Sequence, residues 1–342
     1  MNDHLIIKSA HGFWLATGLL VLGVIALFVL SVLTGAVHVS PVNIFAALFG
    51  GDELSEALFL VIREIRLPRA LLALLIGAAL GLSGAALQGW LRNPLAEPGL
   101  IGVSGGAALG AVIALYSGLA TVFSFAVPLC GIVGGIVAVA TVYFLAGAKG
   151  SPLTLILAGI AISAFTGALT SLALNMSSNP FAAMEIVFWL MGSLADRSMD
   201  HVMLAAPFIL VGCAILLTLG RSLDALALGP DVATSLGVDL QRSQFALIIG
   251  TALGVGAATS VSGVIGFVGL IAPHLMRPLS AGKPSRLLIL AALAGACLLL
   301  AADILVRIVT PDQEMKLGVL TSLLGVPFFL MLILKARRSM MQ

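Results

Sequence analysis

Between Phe13 and Leu33 no charged side chain interrupts the chain, and comparable apolar stretches recur almost to its end. A helix of about 20 such residues crosses the hydrocarbon core of a bilayer. Lipid offers the backbone no hydrogen-bond partner, so each of these stretches must be a helix that satisfies itself. Apolar residues make up 60% of the 342 positions and charged residues 9%, where a soluble domain carries about 25% charged. The mean hydropathy of +1.18 excludes a soluble globular protein of this size. Ten crossings are read at 13–35, 68–90, 95–115, 122–146, 153–174, 199–219, 243–261, 264–279, 286–308 and 317–335. The third and eighth are rich in glycine or proline and have poorly marked ends.

The expectation is an all-α polytopic membrane protein in one transmembrane domain, residues 1–342. The first run lacks a small-residue cleavage site and reads as a retained span, not a signal peptide. Cys130, Cys213 and Cys297 stand singly inside apolar runs and read as packing residues, neither a metal site nor a disulfide framework. A net charge of +2, with no basic patch interleaved with aromatics, points away from nucleic acid.

Lysine and arginine concentrate in loops on the cytoplasmic side of membrane proteins. With both termini inside, eleven of the seventeen basic residues are cytoplasmic: Lys8, Arg92, Lys149, Arg221, Arg242, Arg277, Lys283, Arg286, Lys335, Arg337 and Arg338. Arg63, Arg66, Arg69, Arg197, Arg307 and Lys316 fall on the far side and need a separate reason. "ALLIGAALG" (73–81) in span two is repeated as "ALIIGTALG" (246–254) in span seven. The copies lie five spans apart, an odd number, so they cross in opposite senses. That predicts an inverted-topology repeat of spans 2–5 and 7–10, a common transporter design.

Gly102-Val103-Ser104-Gly105-Gly106 matches the letters of a serine-hydrolase elbow, and His274 is the one histidine placed to act as its base, as an intramembrane protease would require. The elbow belongs between a strand and a helix of a soluble sheet. The expectation for Ser104 is therefore a small residue at a tight helix contact. A proton-coupled carrier is a third class. Asp303 sits four residues before Arg307, a favourable ion-pair spacing, and the chain offers no second buried acid to receive a proton.

"LRNPLAEPGLIGVSGGAALGA" (91–111) resembles the signature of the permease subunits of ABC importers for iron-siderophore complexes, haem and vitamin B12, the FecCD or BtuC-like family. Similar stretches follow the family's order: "IRLPRALLALLIGAALGLSGAALQ" (65–88), "LDALALGPDVATSLGV" (223–238), "GVIGFVGLIAPHLMRPL" (263–279), and "LAADILVRIV" (300–309) with "LGVLTSLLGVPFFLMLILKAR" (317–337). The resemblance covers essentially the whole chain. It implies a ten-span fold and a homodimer, and a periplasmic substrate-binding protein that delivers the cargo. A separate cytoplasmic ABC ATPase dimer would use ATP and Mg. This chain would sit in the bacterial inner membrane, with no cofactor or metal of its own. It carries no phosphate-binding loop, since Gly282-Lys283-Pro284-Ser285 lacks the upstream glycine and strand.

The resemblance also implies roles for residues. Arg66, Arg69 and Arg307 match the positions that pair with acids of the binding protein. The 223–238 stretch is the expected ATPase dock, through Leu226, Leu228, Ala233 and Leu236, with Leu95 beside them. Spans five and ten are expected to line the pathway, with Ser163, Thr166 and Thr170 facing it and Ser151–Thr154 as an inner gate. Where the family commonly shows a proline before span ten, this chain reads Glu314-Met315-Lys316-Leu317-Gly318. Iron chelates, including haem, are the expected cargo and cobalamin the alternative.

Overall fold

The computed structural model describes residues 3–35, 37, 39–43, 56–147, 151–177, 179–310 and 315–340. Lys149 and Glu314 lie outside the described residues. Every regular element described is a helix. In chain order the main ones are α1 (Asp3–Leu33), α2 (Glu56–Trp90), α3 (Val103–Tyr116), α4 (Ala126–Ala146), α5 (Pro152–Asn175), α6 (Pro180–Leu190) and α7 (Met199–Thr218). Then follow α8 (Gly220–Leu226), α9 (Pro230–Ser235), α10 (Leu240–Ser262), α11 (Val268–Met276), α12 (Pro284–Val309) and α13 (Leu317–Met340). Eight of them, α1, α2, α4, α5, α7, α10, α12 and α13, are long and apolar enough to cross a membrane.

Spans three and eight are shorter than the sequence suggests. Helix α3 begins at Val103, not at 95, because Pro98 opens a separate 3-10 turn and Gly102 adopts a left-handed φ of 78°. Helix α11 begins at Val268 after Gly263 at φ 72° and Phe267 at φ 67°. A left-handed phenylalanine is rare. Gly325 of α13 makes the room, since a Cβ there would stand 2.1 Å from the Phe267 ring. The short apolar helix α6 was not among the sequence-derived spans. Helix α2 starts twelve residues early, through a π-turn at Val61–Arg66. That wide turn precedes Pro68, whose ring and missing N–H do not fit a regular α-turn.

The repeat is visible in which helices touch. Helix α2 packs on α12, and α10 packs on α4. Helix α3 lies on α4, α5 and α10, while α11 lies on α12, α13 and α2. Exchanging α2–α5 with α10–α13 maps each of these contacts onto another.

Glycine sets the closest of them. Arg69 meets Asp303, Gly77 meets Gly295 and Gly81 meets Ala291. Each step forward along α2 is matched by the same step back along α12, so the two run antiparallel in contact over most of their length. Helices approach this closely in lipid when small residues repeat every fourth position. At Gly84 an added Cβ would lie 1.8 Å from the Gly269 carbonyl oxygen of α11, whereas at Gly18 of α1 nothing stands within 4 Å. Gly84→Ala is expected to destabilise the protein by about 1–3 kcal/mol, read as earlier thermal unfolding after purification, while Gly18→Ala leaves it unchanged. Equal melting of the two variants would show that α11 gives way freely.

Candidate transport elements at the two ends of the bundle

At one end the chain gathers three arginines around one acid. The Asp303 carboxylate is fully buried and holds Arg69 Nε and Arg307 Nη2, each at 2.8 Å. Arg307 Nη1 also donates to the Ser31 and Thr34 carbonyls at 2.8 Å, and its Nη2 donates to Ser31 Oγ at 2.6 Å. Arg66 donates to the carbonyls of Val32 at 3.1 Å, Leu33 at 2.8 Å, and Val37. These carbonyls are the unsatisfied ones at the end of α1, where positive charge also suits the helix dipole. The arginines expected to face a binding protein are thus turned inward, with side chains at 13% exposure for Arg69 and 11% for Arg307, and Arg66 buried at 4%. The sequence shows the Asp303–Arg307 spacing but cannot show the end of α1 as a partner. A cavity of about 460 Å³ opens beside the three arginines.

The other end carries the α8–α9 hairpin, turned at Gly229 with φ 119°. Of the residues expected to form a dock, Leu228 is 68% and Leu236 64% exposed. Leu226 and Ala233 are buried and instead hold the hairpin to the body of the protein. Val232 of α9, which the sequence reading missed, is exposed as well, so the hairpin presents apolar side chains on both sides of the Gly229 turn. Leu95 is half-buried, and its N–H donates to Asn93 Oδ1 at 2.9 Å.

Asp224 ties the hairpin to α12. Its Oδ1 accepts the Ser285 N–H at 2.8 Å and its Oδ2 accepts the Ser285 hydroxyl at 2.6 Å. The first turn of a helix offers unpaired N–H groups and positive potential to such an acid. The neighbouring end of α2 is tied as well: Arg277 Nη2 donates to Gln88 Oε1 at 2.7 Å, and Gln88 Nε2 donates to the Ala96 carbonyl at 3.2 Å.

Between the ends, the hydroxyls expected to line a pathway point elsewhere. Thr166 and Thr170 are buried. Thr166 Oγ1 donates to the Ile162 carbonyl at 2.9 Å, and Ser163 Oγ to the Gly99 carbonyl at 3.3 Å. A threonine in a helix bonds readily back to the turn before it, so hydroxyls need not mark the open face. The open face of α5 runs over Leu157, Ile160, Ala161, Ala164, Phe165, Gly167, Ala168, Ser171 and Leu172. Ser151 and Thr154 are exposed, and Ser151 Oγ caps α5 by accepting the Thr154 N–H at 3.2 Å. Ser104 lies in the first turn of α3, entered from a 3-10 turn, so the strand that a hydrolase elbow needs is not what precedes it. His274 packs edge-on against Phe328, ring centroids 5.5 Å apart.

Membrane-length helices in an inverted repeat, two shortened helices at matching places and a helical hairpin at one end define a multi-pass transport subunit. Residues 22–335 match the FecCD transport family, and the chain belongs to it. It is similar to the hemin transport system permease protein HmuU of Yersinia pestis, 38% identical over 94% of this chain and 97% of that protein. The Fe(3+) dicitrate transport system permease protein FecD of Escherichia coli (strain K12) is 39% identical over 82% of this chain and 86% of that one. The vitamin B12 import system permease protein BtuC of Vibrio cholerae is 36% identical over 99% of this chain and 100% of that one. A solved structure described as an inward-facing conformation of a metal-chelate type ABC transporter is 34% identical. It superposes with a TM-score of 0.82 over 93% of this chain and 98% of that chain.

Proposed function

We propose that two copies of this chain form the membrane pathway of a binding-protein-dependent ABC importer that carries an iron chelate, siderophore or haem, into the cell. The hairpin end is cytoplasmic, both termini with it, and the arginine end is periplasmic. A separate ATPase dimer, using ATP and Mg, docks on the hairpin and supplies the energy. The observation that carries this reading is the hairpin's two-sidedness: apolar Leu228, Val232 and Leu236 face outward, while Asp224 is bonded to the start of α12. Exposed apolar side chains on a short helical hairpin are what a groove on a partner recognises. At the arginine end, an acidic side chain of the binding protein would enter the cavity beside Arg69 and Arg307. Arg66 is committed to α1. Such charge pairs set register and on-rate more than affinity.

The test is reconstitution of the permease with its ATPase and binding protein, following ATP hydrolysis with ferric dicitrate, haemin or cyanocobalamin on the binding protein. Stimulation by an iron chelate supports the reading, stimulation by cyanocobalamin alone moves the cargo to cobalamin, and no ATPase association sinks the class. Leu236→Ala is expected to weaken ATPase association about tenfold, the range of an interface anchor, read by titrating the ATPase onto the permease in nanodiscs.

A further inference from the structure

One polar cavity has no part in that scheme. About 510 Å³ of space lies between α6, the 193–201 turn and the adjoining ends of α4, α10 and α13. A small-molecule site typically measures about 300–1,000 Å³. Its walls include the rings of Phe181, Phe188 and Trp189 and the basic groups of Arg197, His201 and Lys316.

Arg197 is the anomaly. Its Nε is sealed from solvent and has no hydrogen-bond partner among the described residues. Burial pushes its guanidinium down, against the charge of Asp196. A sealed N–H without an acceptor is unfavourable, and on a guanidinium it calls for an anionic one. His201 adds a second donor: Nδ1 accepts the Ser198 N–H at 3.3 Å, so a neutral ring carries its proton on Nε2. The Lys316 ammonium is held 5.8 Å from the centre of the Phe188 ring. Two acids, Glu185 and Asp196, also line the space, but both are exposed, whereas Arg197, His201 and Lys316 are half-buried. The acids are thus the more solvated of the charged groups in the lining.

Building on the importer reading, we propose that this cavity binds a carboxylate of the cargo, with Arg197 as its main partner and the aromatic wall against the body of the chelate. A guanidinium takes a carboxylate through two parallel hydrogen bonds. The site therefore selects carboxylate-bearing chelates over those built from hydroxamates or amides. It lies on this chain and needs no ATPase, so it is tested on the permease alone.

Full-length permease in nanodiscs is titrated calorimetrically with ferric dicitrate and haemin, and with ferrioxamine B, an iron chelate without a carboxylate. Saturable binding is expected for at least one carboxylate chelate and none for ferrioxamine B. Arg197→Gln is expected to weaken that binding at least tenfold, and Arg197→Lys to restore part of it. ATPase association of each variant, at the opposite end of the protein, reports correct folding. Equal affinity of wild type and a folded Arg197→Gln overturns the proposal, as does equal binding of ferrioxamine B. So does an Arg197→Gln variant that loses only the cargo-free binding protein, because the carboxylate would then belong to that partner. Failure of the importer reading shows separately, as wild-type permease that recruits no ATPase.

Discussion

Asp303→Ala is expected to destabilise the protein by about 3–5 kcal/mol, the usual consequence of removing one partner from a buried ion pair. The carboxylate is fully buried between two arginines. Without it, Arg69 and Arg307, at 13% and 11% exposure, face each other with little solvent to screen them. Arg307 would keep its bonds to Ser31 and Thr34, so the loss falls mainly on the α2–α12 contact. Asp303→Asn keeps the shape and an acceptor oxygen, and should fall between. Replacing the group together, Asp303→Leu with Arg69→Met and Arg307→Met, should recover most of the stability, since a packed apolar cluster can equal a buried ion pair. Thermal unfolding of detergent-purified variants checks the series. Asp303→Ala melting with wild type would mean that the arginines reach water, and the brace would be discarded.

How much of this was legible in the sequence follows from what each feature depends on. Long apolar runs determine helices by solvent alone, and all eight membrane-length helices were found to within a few residues at most ends. Spans three and eight were misjudged because their ends depend on left-handed residues. Gly102 could be suspected, but Phe267 is tolerated only because Gly325, 58 positions on, leaves space for its ring. The repeat was visible as letters, though not the paired contacts it produces. At the sites, residue type did not show which side chains are buried. Arg66 and Arg307 looked like exposed charges because they bond backbone carbonyls at and just beyond the end of α1, which no side-chain pattern reveals. Thr166 and Thr170 looked like hydroxyls of an open face, yet both are buried within the chain. Asp224 and Ser285 are 61 residues apart and carry no local signal at all.

That last pair joins the two ends of the protein. Helix α12 has 26 residues and is therefore about 39 Å long. Asp224 grips its first turn, Asp303 and Arg307 brace its last two, and α2 supports it through Gly77 and Gly81 in between. Under the proposed orientation, a displacement of the hairpin by the ATPase reaches the periplasmic arginines through this strut. Asp224 would then be a positioning residue for transport. Asp224→Ala leaves Leu228, Val232 and Leu236 in place to bind the ATPase, but removes two hydrogen bonds to a charged group, each worth about 1.5–3 kcal/mol. Even one such loss shifts the balance between tied and untied hairpin about ten- to hundredfold. Cargo uptake into proteoliposomes is expected to fall by that factor while ATP hydrolysis continues within about twofold of wild type. Exchanging the groups, Asp224→Ser with Ser285→Asp, puts the carboxylate on the other side of the same contact and should restore part of the uptake. Uptake and hydrolysis falling together would mean that Asp224 only shapes the dock, and α12 would lose its claim to be the link.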